Sequence, residues 1–333
     1  MMTSPTPQPD VINKLRFAAY SSFAMYAGMK LEVFTPLKDG PLTVHQLAQS
    51  LNVNPTRLGP LLYALVVAEL LTVEDGRFAN TPEAAQFLIK GNPGYMGGLH
   101  GVLTEQWAAA MKVAESISAD AAQVRLDFSG MSEEELEPLY RGLHAAASAT
   151  GRALAKLSSL STCRNFVDVG GGSAGVAIAV TEELPQVSAT VAELPTITPI
   201  TRRFVDEAGA ADRVQVVPVD ICNEALQGSY DVAVMRNLIQ VLSPDEARRA
   251  IKNTSGAVKP GGAIHIVGQV LDDSRLTPVP TVGINLFFIG AYDGGQAFTE
   301  QEHRDWLAEA GFEDFERSSM AGGFTLVSAR KPA

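Results

Sequence analysis

The sequence predicts an α/β protein in which a C-terminal domain with a mostly parallel sheet follows an N-terminal α-helical domain. Strand-like and helical segments alternate from Asn165 to Ala329, as in consecutive βαβ units. A glycine-rich turn, Gly170–Gly172, separates the first strand from its helix, which is typical of nucleotide-type ligand sites. Before residue 157 the apolar residues recur mostly at helical spacing.

Composition restricts the possible functions. The 333 residues are 46% hydrophobic and carry a net charge of −11, so we expect a globular core and no nucleic-acid partner. Cys163 and Cys222 lie far apart and indicate neither a disulfide framework nor a metal site. We find neither a signal-peptide pattern nor an apolar run long enough for a membrane span. These features predict a cytoplasmic protein with residues 1–9 as a disordered tail.

The first 92 residues predict a winged-helix domain. Apolar spacing from Val11 to about Lys38 indicates two helices separated near Gly28. Residues Leu42–Leu58 and the stretch after them form a helix-turn-helix pattern. Leu71–Asn80 then alternates around an Asp-Gly turn, which predicts a β-hairpin.

A winged helix is also typical of DNA-binding proteins, so DNA binding is an alternative function of this domain. The segment that would read DNA, Pro55–Leu70, contains Arg57 as its one basic residue. A DNA-reading helix needs several Lys or Arg residues to meet phosphates and bases. We therefore expect this domain to be buried or to form a dimer.

Residues 93–156 are mostly helical and contain candidates for contact with a small-molecule substrate. The candidates are Trp107, Tyr140, Arg141 and His144. Trp107 and Tyr140 fit core packing equally well, and a lone histidine on a helix is often only hydrogen-bonded. Because Tyr140, Arg141 and His144 lie within about one turn, we expect all three to converge on one face.

In the second half, polar side chains end four predicted strands. The residues concerned are Asp168, Glu193, Asp220 and Arg236. Ligands of parallel sheets bind at these carboxyl ends, and an acidic residue about twenty positions beyond the glycine turn can accept both ribose hydroxyls. The glycine spacing is not that of a pyrophosphate site, which favours a phosphate-free nucleoside. Lys259–Gly262 predicts a turn before a fifth strand, Ala263–Gly268.

The ordered set of motifs resembles the class I S-adenosylmethionine (SAM)-dependent methyltransferases. Within that class the chain resembles the branch of plant caffeate and flavonoid O-methyltransferases and bacterial antibiotic and carotenoid O-methyltransferases. The motifs are Asp168–Gly172, Glu193–Pro195, Val219–Asp220, Lys259–Gly262 and Ala310–Phe312. The resemblance implies a winged-helix homodimerisation domain (10–92), a helical linker lining the substrate (93–156) and a Rossmann-like SAM-binding domain (157–333).

The resemblance also implies roles for individual residues. The cofactor-binding positions would be Asp168, Gly170, Gly172, Glu193, Leu194, Asp220, Ile221 and Arg236. The glycine backbone would lie alongside the methionine part of SAM, Glu193 would bind the ribose, and Asp220 with Ile221 would flank the adenine. Arg236 falls where the family often has a lysine near the cofactor. Independently of the resemblance, Phe288 and Tyr292 lie in an apolar and aromatic stretch and are candidates, with Tyr140, to line the substrate pocket, although such residues also fit core packing.

One position departs from the family pattern. Members of this branch usually have a histidine after the fourth strand as general base, and this chain has Gln240 there. A glutamine amide cannot accept a proton near neutral pH. The acid that orients that histidine also appears as an amide, Asn285. The reaction is therefore predicted to proceed without the usual base.

Several functions remain open. Methylation of a thioether needs no base. Because the usual base is missing, and because the family branch and the chain length agree, the chain resembles the bacterial S-methyltransferases of dimethylsulfoniopropionate synthesis. Those enzymes methylate 4-methylthio-2-hydroxybutyrate. In that case Arg141 or Arg236 would pair with the substrate carboxylate. Alternatively, an O-methyltransferase would use His144 or His100 as a substitute base. A SAM-binding enzyme that does not transfer methyl and a non-catalytic binding protein are the remaining alternatives.

Overall fold

The computed structural model describes residues 7–92, 94–126, 128 and 130–333. Two compact units can be distinguished, one ending at Trp107 and one starting at Ala108. Of the tail predicted for residues 1–9, only residues 7–9 belong to the described part, and they are irregular. Within the described residues, every helix is too short or too polar to cross a membrane.

The first unit combines helices with a small antiparallel sheet. Its helices are α1 (Asp10–Lys30), α2 (Val44–Leu51), α3 (Pro55–Val67), α4 (Pro82–Phe87) and most of α5 (His100–Ala110). Its strands are β1 (Leu42–Thr43), β2 (Leu71–Glu74) and β3 (Arg77–Asn80), in the order β1-β3-β2. The predicted hairpin is therefore confirmed as β2 and β3. A capping box between Thr43 and Gln46 starts α2, as expected at a helix-turn-helix.

The prediction of a helix break near Gly28 is wrong. α1 continues through Gly28 to Lys30, and only a short 3₁₀ turn, Thr35–Asp39, follows. A Cβ at Gly28 would lie 3.1 Å from a methyl carbon of Leu65 on α3. This glycine therefore serves close packing of two helices rather than chain reversal.

The second unit is the larger α/β domain. Its helices are α6 (Val113–Ala119), α7 (Glu133–Leu154), α8 (Ser158–Ser161), α9 (Gly175–Glu183), α10 (Thr198–Glu207), α11 (Pro244–Ser255), α12 (Val279–Ala291) and α13 (Glu300–Glu309). Its strands are β4 (Asn165–Val169), β5 (Ser188–Glu193), β6 (Val214–Pro218), β7 (Tyr230–Arg236), β8 (Val258–Gly268), β9 (Val270–Leu271), β10 (Phe298–Thr299), β11 (Glu313–Ser319) and β12 (Thr325–Arg330).

Seven of these strands form the central sheet, in the order β11-β12-β8-β7-β4-β5-β6. The five strands from β8 to β6 are parallel, and β12 and β11 add an antiparallel edge. The predicted α/β class with a mostly parallel sheet is confirmed. The edge strand β11 was not predicted, because its sequence is largely polar and its side chains are mostly exposed.

The predicted turn at Lys259–Gly262 lies inside a strand. β8 begins at Val258, and its pairing with β7 shifts register between Tyr230 and Val232. Gly261 has a positive φ of 72°, and its N–H donates to the carbonyls of Lys331 and Pro332. The glycines therefore form an irregularity within the strand, which the C-terminal segment covers.

Both faces of the sheet are buried. Val167 and Val169 of β4 face a core with α11 and α13, whereas Phe166 faces a second core with α9. Helix α7 packs closely on α9, because a Cβ at Gly151 would lie 2.6 Å from the Val176 carbonyl oxygen. Because of this contact, the N-terminal half of α7 lies next to the turn that follows β4. The candidate site begins at this turn.

Candidate active site

The turn after β4 requires glycine at two positions. Gly170 and Gly172 have positive φ values of 67° and 53°. A Cβ at Gly172 would lie 2.6 Å from the Tyr140 ring, and one at Gly170 would lie 3.1 Å from Leu238. The backbone here therefore forms a cradle in which only glycine fits beside Tyr140 and Leu238.

Glu193 ends β5 beside this turn and is 6% exposed. Its Oε2 accepts a hydrogen bond from the Gly172 N–H and its Oε1 one from the Leu194 N–H, both at 2.7 Å. Burial raises the pKa of Glu193, although these two N–H donors oppose the shift. The two bonds fix the orientation of the carboxylate and couple it to the glycine turn.

Asp168 is fully buried in β4, and neither of its carboxylate oxygens has a hydrogen-bond partner among the described residues. Burial raises the pKa of Asp168 to about 7, and Glu193 adds to the shift. The charge of the Arg236 guanidinium opposes it only in part. Buried carboxylates normally have partners, so this group marks a place for a positively charged or hydrogen-bonding ligand.

Asp220 follows β6, the next strand of the sheet. Its Oδ1 accepts from the Cys222 N–H at 3.0 Å and its Oδ2 from Asn223 Nδ2 at 2.7 Å. The neighbouring Ile221 is buried, and its carbonyl accepts from Asn253 Nδ2 at 2.8 Å. Acidic side chains therefore lie at or just beyond the ends of three adjacent strands, β4, β5 and β6.

Arg236 ends β7 and faces inward. Its Nε donates to Thr150 Oγ1 on α7 at 3.0 Å, and its guanidinium lies 5.4 Å from the centre of the Phe324 ring. Burial lowers the pKa of Arg236, and Asp168 opposes that shift. The arginine therefore balances part of the buried negative charge at the strand ends.

Gln240 lies in a 3₁₀ turn, Ile239–Val241, and is 6% exposed. Its Nε2 donates to Asn237 Oδ1 at 3.0 Å, and Asn237 has a positive φ of 55°. A Cβ at Gly268, the last residue of β8, would collide with Gln240 Oε1. The amide is thus held by Asn237 in a space that Gly268 leaves open.

Asn285 lies on α12, and its Oδ1 accepts a hydrogen bond from the Ala297 N–H at 2.8 Å. This bond ties α12 to the segment before β10. Because its carbonyl oxygen is engaged with the backbone, Asn285 has a structural partner that the sequence did not indicate.

Aromatic side chains cluster beside α12. Phe128, Phe287 and Phe288 have ring centres 5.9 to 6.3 Å from that of Tyr292. Phe288 is 5% exposed, and burial raises the pKa of Tyr292 to about 12. Tyr292 therefore stays a neutral phenol, and the cluster presents an apolar, uncharged wall.

Tyr140 connects this cluster with the glycine turn. Its ring packs where a side chain at Gly172 would be, and burial raises its pKa, with Glu193 and Tyr292 adding to the shift. The structure thus brings Tyr140 together with cofactor-side and cluster residues. His144 lies one turn further along α7. Its Nδ1 is 3.0 Å from Ser173 Oγ, and its ring stacks on the Phe204 ring.

Two predicted substrate residues have other partners. Arg141 donates to Glu137 and to both carboxylate oxygens of Glu207, at 2.8 to 3.0 Å, and its side chain is 45% exposed. Its guanidinium is therefore already paired with two carboxylates. Trp107 packs against Phe23 and Tyr26 of the first unit, with ring centres 5.5 and 5.6 Å away.

Sequence reasoning missed three residues that shape the site. Thr201 is fully buried on α10, and its hydroxyl donates to the Gly172 carbonyl at 2.7 Å. Asn237 orients Gln240, and its place directly after a predicted strand was a signal that could have been used. Phe128 stacks on Tyr292 from more than 150 positions away, for which no local pattern exists.

Comparison with known proteins gives the same picture over nearly the whole chain. Residues 119–313 match the O-methyltransferase domain, and residues 13–90 match the O-methyltransferase dimerisation domain. The chain is 26% identical to the tetracenomycin polyketide synthesis 8-O-methyl transferase of Streptomyces glaucescens, over 97% of each chain. It is 27% identical to the 3-hydroxy-5-methyl-1-naphthoate 3-O-methyltransferase of Streptomyces sahachiroi, over 91% of this chain and 89% of the relative.

A solved structure agrees in fold. The complex of PigF, a methyl transferase of a Serratia strain, with S-adenosylhomocysteine (SAH) superposes with a TM-score of 0.80 at 22% identity. The superposition covers 98% of this chain and 100% of PigF. This likeness concerns the fold.

Proposed function

Because the chain belongs to the O-methyltransferase family, and so is a SAM-dependent methyltransferase, we propose that it methylates a small aromatic acceptor without a general base at position 240. When bound, SAM supplies the electrophilic methyl group of a sulfonium. The observation that carries the proposal is Gln240, a buried amide oriented by Asn237 and placed where the family usually has a histidine.

The residues at the strand ends fit the cofactor. The positive-φ glycines at 170 and 172 let the backbone turn closely beside Tyr140 and Leu238, where a Cβ would press on either side chain. The unpartnered carboxylate of Asp168 suits the ammonium group of the methionine part, and Glu193 has free lone pairs for ribose hydroxyls. Asp220 and Ile221, with Leu194, would flank the adenine. Arg236 would set the local charge beside the methionine part.

The chain's contribution to catalysis is then alignment and exclusion of water. Tyr140 and the cluster of Phe287, Phe288 and Tyr292 would hold a planar acceptor, while the Gln240 amide would hydrogen-bond a polar group on it. Raised pKa values keep both tyrosines neutral, so they donate hydrogen bonds rather than abstract protons.

The acceptor atom distinguishes two candidates. The names of the relatives favour a hydroxyl oxygen, which would have to ionise through its own acidity. The amides at 240 and 285 favour a thioether sulfur, which needs no base. An anionic thioether such as 4-methylthio-2-hydroxybutyrate has weaker support. Of the two cations suggested for its carboxylate, Arg141 is paired with Glu137 and Glu207, and Arg236 lies beside Asp168.

A substitute base at His144 has little support. Its side chain is hydrogen-bonded to Ser173 and Ser148 and stacks on Phe204, and among the described residues no hydrogen bond or ring contact joins these three to Gln240. His144 flanks the glycine turn, so we propose that it supports the cofactor side. The other candidate base, His100, belongs to the first unit. Its Nδ1 is hydrogen-bonded to the Gly97 carbonyl at 2.9 Å.

The decisive experiment is methyl transfer from labelled SAM to a panel of acceptors. The panel contains a catechol, a naphthol, a phenolic acid, methionine and 4-methylthio-2-hydroxybutyrate. We expect label in an aromatic acceptor, with a rate that follows the ionisation of the acceptor hydroxyl. Label in a thioether alone would establish the sulfur candidate instead. An essential enzyme group with a pKa of about 6–7 would contradict catalysis without a base.

We also propose that the protein is a homodimer. The first turns of α1 expose large apolar residues, with Val11, Ile12 and Leu15 each about two-thirds exposed or more. Such a face usually marks an interface, and the dimerisation-domain match supports the same partner, a second copy. Light scattering coupled to gel filtration should give twice the chain mass of 35.4 kDa. A monomer at micromolar concentration would contradict this proposal.

A further inference from the structure

The segment that carries the aromatic cluster is anchored by very short strands. Residues 272–297, here called the α12 segment, connect β9 with β10 and carry Phe288 and Tyr292. β9 and β10 pair in parallel over two residues each, Val270 with Phe298 and Leu271 with Thr299. So short a ladder gives little stability by itself, and the ends of the segment need a further attachment.

Arg317 supplies one such attachment from the edge strand β11, and it joins both ends at once. Its Nη1 donates to Asp272 Oδ1 at 2.7 Å and to Glu300 Oε2 at 3.0 Å, and its Nη2 donates to the Val270 carbonyl at 3.3 Å. Asp272 directly follows β9, and Glu300 directly follows β10. One guanidinium therefore ties the chain entering the α12 segment to the chain leaving it.

The Arg317–Glu300 pair is less exposed than an ordinary surface pair, whereas the Asp272 side chain is 43% exposed. The Arg317 side chain is 21% exposed and that of Glu300 is 23% exposed. A hydrogen bond from Thr277, with Arg317, lowers the pKa of Asp272. Arg304, with Arg317, lowers the pKa of Glu300. Both carboxylates are thus ionised at neutral pH, and without Arg317 they would face each other as like charges.

The far end of the α12 segment is held separately. The N–H groups of Val124 and Leu126 donate to the carbonyls of Gly290 and Ala291, both at 3.0 Å. These bonds fix the C-terminal end of α12. Near its N-terminal end, three side-chain bonds act besides Arg317: Thr281 Oγ1 donates to Gln269 Oε1 at 2.9 Å, the Gln301 N–H donates to Asp273 Oδ1 at 2.9 Å, and Arg275 Nη2 donates to Glu302 Oε1 at 2.8 Å. Loss of Arg317 should therefore loosen the segment without unfolding the domain.

We propose that Arg317 is a positioning residue that holds the α12 segment, and with it Phe288 and Tyr292, in place over the acceptor pocket. Arg317 has no contact with the glycine turn, Glu193 or Asp168 in the described part of the chain. It therefore affects the acceptor and not the cofactor. The inference rests on the proposed function only in treating this pocket as the acceptor site.

Hydrogen exchange tests the attachment without knowledge of the acceptor. In Arg317→Met saturated with SAH, peptides from residues 272–297 should exchange about 10-fold faster than in the wild type, because local opening becomes easier. Peptides from the glycine turn should not change, and SAH affinity should stay within about two-fold. Arg248→Met is the matched control, since Arg248 also joins two carboxylates, Asp245 and Glu309, but away from α12.

Two further variants and one kinetic measurement complete the test. Arg317→Lys keeps the charge and should restore most of the protection, and Asp272→Asn should reproduce part of the loss if Arg317→Met does not fold. With an acceptor found by the labelling panel, Arg317→Met should raise the acceptor KM about 5–10-fold and leave kcat and the SAM KM nearly unchanged. Unchanged exchange in residues 272–297, or an equal change in Arg248→Met, would overturn the proposal. If no acceptor of the panel were methylated, the proposed function would be contradicted. The hydrogen-exchange result would still decide whether Arg317 holds the α12 segment.

Discussion

The cofactor side and the acceptor side of the site are constructed in different ways. On the cofactor side, Asp168, Glu193 and Asp220 lie at or directly after the ends of adjacent parallel strands, and backbone N–H groups orient Glu193 and Asp220. On the acceptor side, the described residues Tyr140, Gln240 and Tyr292 come from three distant segments. Tyr292 lies near enough to Tyr140 to raise its pKa, and a Cβ at Gly295 would touch both Tyr292 and the Gln240 carbonyl oxygen. The first arrangement follows from sheet topology, whereas the second depends on how helices α7 and α12 are placed.

The largest expected effect is on the cofactor side. Glu193→Ala should weaken SAH binding about 100-fold or more, because it removes a charged acceptor and leaves the Gly172 and Leu194 N–H groups unpaired. Isothermal titration calorimetry measures the change. Glu182→Ala, which removes an exposed glutamate of α9, is the control and should have no effect. Nearly equal affinities of the two variants would show that Glu193 is not at the cofactor.

A steric test of the glycine turn comes next. Gly172→Ala and Gly261→Ala both place alanine at a positive φ, which costs about 1 kcal/mol each. Only the alanine at 172 would also press on the Tyr140 ring, because nothing lies within 4 Å of a Cβ at 261. We expect SAH affinity to fall about 10-fold or more in Gly172→Ala alone. If the two variants had similar melting temperatures and equal SAH affinities, the close fit of Gly172 against Tyr140 would not matter for cofactor binding, and the proposed role of the cradle would be wrong.

Asp168 should make stability and cofactor binding respond oppositely to pH. Its folded pKa of about 7 lies above the ordinary value of 3.8, so the folded state retains a proton that the unfolded chain releases. The stabilisation that Asp168 adds to the free energy of unfolding is on the order of 1–4 kcal/mol. It is fully present below about pH 4 and is lost as the pH rises through about 7. SAH should bind more tightly over the same rise.

Asp168→Asn checks this pH dependence. At pH 8 the cofactor-free variant should melt higher than the wild type, and its SAH affinity should be about 10-fold lower. Thermal scans at pH 5 and pH 8, with and without SAH, measure both effects. A wild type whose cofactor-free stability does not fall between these pH values would show that Asp168 is already ionised at pH 5.

On the acceptor side, Gln240→His should leave SAH affinity unchanged. For an oxygen acceptor we expect the methyl-transfer rate to rise about 5-fold, because a histidine without an orienting acid recovers only part of the usual general-base contribution. For a thioether the rate should not rise. Gln240→Leu controls for loss of the bond to Asn237. A large loss of SAH affinity in either variant would show that the two sides are not separable.

The smallest effect is expected for Arg141→Ala. Its guanidinium is paired with Glu137 and Glu207 at the surface, so methyl transfer and SAH affinity should both stay within about two-fold of wild type. Initial rates with the acceptor found by labelling provide the measurement. A rise of 10-fold or more in acceptor KM would restore Arg141 as a substrate residue.

The difference between the two sides also explains what the sequence could predict. The residues at the strand ends follow local patterns: hydrophobic strands, a glycine turn and a polar residue at each end. On α7, residues 140 and 144 lie one turn apart and both reach the glycine turn, but residue 141 lies about 100° around the helix. That rotation directs Arg141 toward Glu207, a contact 66 positions away that no local pattern encodes.

Fold features were missed for similar reasons. Gly28 looks like a helix break in sequence, and only the packing of Leu65 against it shows why a glycine is needed within α1. β11 alternates poorly because it is a mostly exposed edge strand, and its pairing with β12 is what defines it. The bond from Ala297 to Asn285 likewise depends on the fold of the α12 segment.

The exposed apolar start of α1 has a consequence for how the protein responds to dilution. If a second copy covers Val11, Ile12 and Leu15, part of the folding free energy is supplied by association. Resistance to heat would then follow mass action, and the melting temperature would fall as the protein is diluted. Assays at nanomolar enzyme would lose activity with time for this reason, before any residue of the site is disturbed.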